Sequence, residues 1–231
     1  IYYIILDGYV RSDVLKDLYD YDNSEFVNNL EMEGFFVAQQ SHSNYAKTIL
    51  SVPSTLNMDY VDTFAPGLDD SKFWWLMEPF IDHSEVRTLL KSQGYQTVSF
   101  STNWSLTDMN SADIHLAAFP VELTDFEQYL LQTTPLRLSQ PFLQDSASVF
   151  TSETQRRTIL HTLGALDDFV SDPDPVFVFA HILLPHPPFV LDAEGKPVQS
   201  ATDFSFKDAE DFEGSSEEYR KGYKGQVEFL N

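Results

Sequence analysis

Two short runs, Ile1-Tyr2-Tyr3-Ile4-Ile5-Leu6 and Val176-Phe177-Val178-Phe179-Ala180, are apolar at every position. A strand that meets water on one face alternates apolar and polar residues. Uninterrupted runs of this length and β-branched content therefore describe strands buried on both faces. Burial on both faces needs cover on both, and the sequence supplies it as helices between the strands. The chain reads as α/β, a largely parallel sheet with helices on both faces.

The remaining elements follow from caps, stops and periodicity. Asn23 heads a predicted helix over 24–33, with Phe26, Val27 and Leu30 inward and Gly34 stopping it. Residues 35–38 read as a short strand, and 71–80 as a helix or pair of turns whose Phe73, Trp74, Trp75, Leu76 and Met77 serve as core or cover. Ser84 caps a helix ending at Gly94, and 95–100 form a strand with Val98 and Phe100 toward the core. Residues 114–117 suit another short strand, and Phe126 to Leu131 lie in a helix. Residues 135–141, with a proline at each end, break the pattern. The longest predicted helix spans 152–170, with Ile159, Leu160, Leu163, Leu166 and Phe169 along one side and Asp172-Pro173-Asp174-Pro175 ending it. Residues 191–214 are polar and acidic, a surface excursion. A last helix over 215–231 aligns Tyr219, Tyr223, Val227 and Leu230. A single domain over 1–231 is expected, without repeats or low-complexity tracts. The chain opens directly in an apolar run and its last helix has no C-cap, which reads as an internal piece of a longer protein.

Charge narrows the function classes. With 14 Lys+Arg against 36 Asp+Glu, the net charge is −22, and such a surface repels nucleic acid and anionic lipid headgroups. Much of this acidity is accounted for by a solvated surface. An anionic substrate would need local positive charge, for which a bound metal is the obvious source. The absence of cysteine excludes disulfides, thiolate metal sites and a cysteine nucleophile together. No apolar run approaches the ~20 residues of a membrane span.

Three strand ends carry groups of useful chemistry, and in a doubly wound sheet such ends converge on one edge. Asp7 closes the first strand, where a carboxylate can ligate a metal or simply shape the Asp7-Gly8 turn. Thr48 stands where the polar loop from His42 becomes a short helix bearing Ile49, Val52 and Leu56. Unpaired N–H groups and the helix dipole favour anions there, and Lys47 adds a charge. Thr48 is then a nucleophile toward an ester, or an ordinary N-cap. His181 and His186 follow the last strand. Together these residues offer a metal ligand, an oxygen nucleophile and a group to steady a leaving oxygen. Carboxylate and hydroxyl suit Mg or Mn, and added imidazole shifts the preference toward Zn.

Asp7-Gly8, a hydroxyl residue ahead of Pro53-Ser54, Gly94-Tyr95-Gln96-Thr97 and Pro185-His186-Pro187-Pro188-Phe189 occur in this order. That order resembles the sulfatase and alkaline-phosphatase superfamily, above all its membrane-anchored sulfatase-like branch, which includes lipoteichoic acid synthases and phosphoglycerol transferases. The resemblance implies an alkaline-phosphatase-like fold truncated at the C-terminus, and a phosphoester or lipid-headgroup substrate. It implies Asp7 as metal ligand and Thr48 as both nucleophile and metal ligand, forming a covalent phosphothreonine. It also implies His186 at the substrate or leaving group, His181 nearby, and Lys47 and Asn44 toward the transferred oxyanion. The divalent metal (Zn, Mn or Mg) would take its remaining ligands downstream of residue 231, because the family's Asp-His-Gly motif is not in this chain; the fragment alone would then have little activity. The same resemblance implies an extracytoplasmic domain tethered by transmembrane helices outside this chain.

Departures from the sulfatase pattern favour phosphate over sulfate esters. Threonine cannot be oxidised to formylglycine, and Thr102-Asn103-Trp104-Ser105 stands where sulfatases carry Gly-Lys-Trp-His. Ser51, in Ser51-Val52-Pro53-Ser54, keeps a true sulfatase open as an alternative. A non-catalytic scaffold that retains the fold is another.

Overall fold

A computed structural model describes residues 1–68, 74–139, 142, 147–148, 151–170, 174–198, 212 and 214–231. The strands are β1 (Tyr2–Leu6), β2 (Gln96–Phe100), β3 (Ile114–Leu116), β4 (Val121–Glu122), β5 (Ala147–Ser148) and β6 (Val176–Ile182). The helices are α1 (Ser12–Tyr19), α2 (Ser24–Met32), α3 (Thr48–Leu56), α4 (Val61–Phe64), α5 (Glu78–Asp82), α6 (Glu85–Ser92), α7 (Asp125–Thr133), α8 (Ser152–Ala165) and α9 (Ser216–Leu230). Two compact units result, Ile1–Ile5 with Asn44–Ile182, and Leu6–Ser43 with Leu183–Asn231.

The first unit holds a four-stranded sheet in the order β1-β6-β2-β3. β2 runs parallel to β3, with Ser99 opposite His115, and parallel to β6, with Val98 opposite Val178. At β1, the Ile1 nitrogen donates to the Val176 carbonyl and the Ile1 carbonyl accepts from Val178 N–H, each at 2.8 Å. One residue bonded to the two flanking its partner is the parallel pattern. β4 and β5 form a separate parallel pair.

Alternation along β6 explains its uniform apolarity. Phe177 and Phe179 pack with Val52 and Leu56 of α3, Ile81 and Met109, while Val176, Val178 and Ala180 face Ala165, Leu166 and Phe169. Both faces of the strand are therefore covered, as the sequence requires. β1 departs from the expectation. Tyr3 and Ile5 join the first of these clusters, but Ile1 and Ile4 stay 55% and 44% exposed at the edge of the sheet. Residues 35–38 form no strand, and Phe36 is 91% exposed. A strand needs a hydrogen-bonding neighbour, and no ladder includes this segment among the described residues.

Two helices also differ from expectation, α2 in its cap and α8 in its inner face. The side chain of Asn23 does not cap α2; it donates to the Tyr9 hydroxyl, while Asp22 accepts from Ser24 N–H. α8 buries Thr154, Gln155, Thr158 and Thr162 beside Ile159, so its inner face is mostly polar. Asn103, at φ 60, reaches Thr158 Oγ1 at 2.5 Å and explains one of these. Elsewhere the expected cap holds, with Ser84 accepting from Arg87 N–H to start α6, and α9 is opened by a capping box of Ser215 and Glu218. Most of the acidic excursion (199–211 and 213), the start of the 71–80 segment and residues 171–173 of the predicted helix stop lie outside the described residues.

In the second unit Leu15, Phe189, Tyr223 and Val227 form the core. Tyr19 stacks on Tyr223 at 4.1 Å between ring centroids, and Phe189 meets Tyr219 at 5.1 Å.

Candidate active site

In the second unit the chain leaves β1 through a tight turn, with Tyr9 N–H donating to the Leu6 carbonyl and Gly8 at φ 80. That positive φ is costly for a residue with a Cβ and free for glycine. The turn directs Asp7 toward the proline-rich segment after β6, where His186 N–H donates to the Asp7 carbonyl at 3.0 Å. Asp7 and His186, far apart in sequence, are thus neighbours. Two side chains of α9 hold them so. The Tyr223 hydroxyl donates to the Gly8 carbonyl at 2.8 Å and accepts from Val10 N–H. Gln226 donates to the carbonyls of Pro185 and His186 and accepts from the N–H groups of Val190 and Leu191.

The ring of His186 has a defined proton arrangement. Its Nδ1 lies 2.5 Å from the Pro187 carbonyl, which can only accept, so Nδ1 carries a proton. In the neutral ring Nε2 then bears the lone pair, suited to accept a proton or ligate a cation.

In the first unit the Thr48 helix begins one residue earlier than a threonine cap would require. Lys47 is the N-cap residue in extended geometry, without a side-chain capping bond, and Thr48 is the first helical residue. The Lys47 carbonyl accepts from Leu50 and Ser51 N–H groups. Thr48 is half-buried, whereas Lys47 and Asn44 are exposed. Asn44 is tied to this helix: its amide donates to Ser54 Oγ and its carbonyl accepts from Ser51 Oγ, both at 2.7 Å. Ser51, the alternative nucleophile, sits nearly a turn beyond the helix start with its proton directed at Asn44. Ile49, Leu50, Val61, Ala65 and Met77 pack beneath the helix and fix its position.

His181, at the end of β6, is 2% exposed and faces the interior, with Nδ1 2.9 Å from Thr107 Oγ1. Asp7 lies with His186 in the second unit, and Asn44, Lys47 and Thr48 lie together in the first. His181 belongs to an interior polar group around Thr107.

That group is one the sequence reading missed. Thr102 N–H and hydroxyl both donate to Asp108 Oδ1, at 2.8 and 2.6 Å. Loss of hydration around the inward-turned carboxyl of the half-buried Asp108 pushes its pKa up to about 6. His115 bonds Glu122 at 3.0 Å, chiefly for which reason its pKa is raised. A histidine inside the three-residue strand Ile114–Leu116 was the available signal.

The described residues form no group of three or more His, Asp or Glu that could hold a metal ion. No helix among the described residues is long and apolar enough to cross a membrane. No family model, curated protein or solved structure matches the chain.

Proposed function

We propose that the chain carries the nucleophile-bearing part of a metal-dependent phosphoester hydrolase or phosphoglycerol-type transferase with an alkaline-phosphatase-like fold. The observation that carries this reading is the pairing of Asp7 with His186 at the end of the first strand. Thr48 at the first position of α3 adds to it. A hydroxyl there attacks phosphorus under the favourable field of the helix N-terminus and the Lys47 ammonium.

Thr48 Oγ forms the new bond to phosphorus as the bond to the leaving alcohol breaks, giving a phosphothreonine. Water or an acceptor alcohol then attacks the same phosphorus and restores the hydroxyl. His186 Nε2 takes a proton in one half of the cycle and returns it in the other. A divalent ion (Zn, Mn or Mg) would supply the charge that offsets the anionic ester, with Asp7 and Thr48 among its ligands. Lys47 steadies the oxyanion, Asn44 keeps the loop before α3 in place, and His181 braces the interior through Thr107. The reading includes a lipid-headgroup or other phosphoester substrate and an extracytoplasmic position beside a membrane.

Mass spectrometry of the Thr48 peptide after rapid quenching with a phosphodiester substrate tests it. A phosphoryl increment on Thr48 supports the reading. An aldehyde at Ser51 would replace it with a sulfatase, and an unmodified peptide under turnover would rule out the covalent route.

A further inference from the structure

Ser99, on β2, is fully buried and has one proton but two partners. Its Oγ lies 2.8 Å from the Met109 carbonyl and 2.8 Å from His115 Nδ1. The carbonyl can only accept; with the Ser99 proton directed there, Oγ accepts from Nδ1–H. At the other side of the ring, Nε2 lies 3.0 Å from Glu122 Oε2, and a carboxylate also only accepts. In that arrangement both ring nitrogens carry protons and His115 is an imidazolium, the form that the Glu122 carboxylate favours.

Its charged surroundings come from every neighbouring element. Glu122 on β4 is the direct partner, and Asp108 in the loop after β2 and Asp82 at the end of α5 act through space. Asp82 is itself paired with Arg87 at 3.5 Å and lies 3.7 Å from exposed His83. Asp113 is occupied by Lys91 and Thr97 N–H. The excess negative charge facing His115 is therefore that of Glu122 and Asp108.

We infer that Asp108, His115 and Glu122 form a proton-operated clasp that fastens the loop over residues 101–112 to the sheet while His115 is charged and loosens it when that proton leaves. The proton departs from Nδ1, since Nε2–H remains bonded to Glu122. Ser99 then turns its hydroxyl to Nδ1, and the Met109 carbonyl keeps only the Ala112 N–H at 3.2 Å. The carboxylates of Asp108 and Glu122 are left facing each other with no cation between them, and like charges in a half-buried site repel. The raised pKa of both Asp108 and His115 agrees with this arrangement. The loop also carries Thr107, so release slackens the hold on His181. The clasp stands independently of any reaction assigned to Thr48.

Histidine side-chain 15N NMR and amide exchange of the protein, followed through pH 5–9, test it (the span reaches about 1.5 units below and about 2.5 above an ordinary histidine). The expected result is a His115 with both nitrogens protonated and a midpoint above 6.5. Protection at Thr102 and Ala112 should fall about tenfold per pH unit beyond that midpoint, with Val98 and Val178 unchanged. Glu122→Gln should lower the midpoint and open the loop at lower pH, and His115→Gln should leave it open throughout. If His115→Gln does not fold, wild type and Glu122→Gln carry the test alone. A midpoint at or below 6.5, or loop protection indifferent to the titration, would overturn the clasp.

Discussion

Replacing Gln226 by methionine keeps much of the side-chain volume and removes the polar atoms at its end. Gln226 is fully buried, and its two short bonds run to the Pro185 carbonyl at 3.1 Å and from Val190 N–H at 2.9 Å. Pro185 and Val190 are buried as well, so water cannot replace the lost partner. A buried group stripped of its hydrogen bond costs about 1–3 kcal/mol, and two such groups make about 2–5 kcal/mol after relaxation. The volume change adds little. That is a large part of a stability of about 5–15 kcal/mol. The tryptophans lie in the other unit, so amide exchange at Val190 and His186 is the direct assay, with urea unfolding by circular dichroism beside it. Gln226→Glu sharpens the test. Its protonated form can still donate to Pro185, and burial raises its folded pKa above the unfolded value of about 4.3. Its stability should approach wild type below that value and fall as pH rises through the folded pKa. A Gln226→Met protein within about 0.5 kcal/mol of wild type would refute the claim that this residue holds the Asp7–His186 neighbourhood.

Gly222→Ala should destabilise by about 1–3 kcal/mol in urea unfolding, because its new Cβ would run into the Phe189 ring, which Phe212 and Tyr219 confine. Asp108 makes stability depend on pH with a definite sign. Its folded pKa of about 6 exceeds the ordinary carboxylate value of 3.8, so its contribution is complete below 3.8 and is lost as pH rises to about 6. Denaturation midpoints should fall across that window by the equivalent of about 1–3 kcal/mol, and Asp108→Asn should remove this component.

What the sequence disclosed depended on whether a signal was local. β6 was legible because five apolar residues in a row admit few other readings, α6 because Ser84 acts within one turn of the helix start, and α9 because Tyr219, Tyr223, Val227 and Leu230 recur at helical spacing. The exposed face of β1 and the missing strand at 35–38 were not legible, since pairing is decided by distant segments. The threonine face of α8 was hidden by its leucines: apolar periodicity pointed to Leu160 and Leu163, while the burial follows Thr154, Thr158 and Thr162. The proximity of Asp7 and His186 was legible because residues at strand ends are expected to gather. Asp108, His115 and Glu122 were not, because their relation exists only once β2, β3 and β4 are assembled. The bond from the Ser51 hydroxyl to Asn44 was likewise invisible, although it bears on which hydroxyl is the nucleophile.

Turnover of bis(p-nitrophenyl) phosphate by the full-length protein and its Thr48→Ala variant, with Mn or Zn supplied, tests the central claim most directly. The proposed chemistry predicts hydrolysis by wild type and a loss of several orders of magnitude in Thr48→Ala, with the circular dichroism spectrum unchanged. Equal turnover by the two proteins would contradict it.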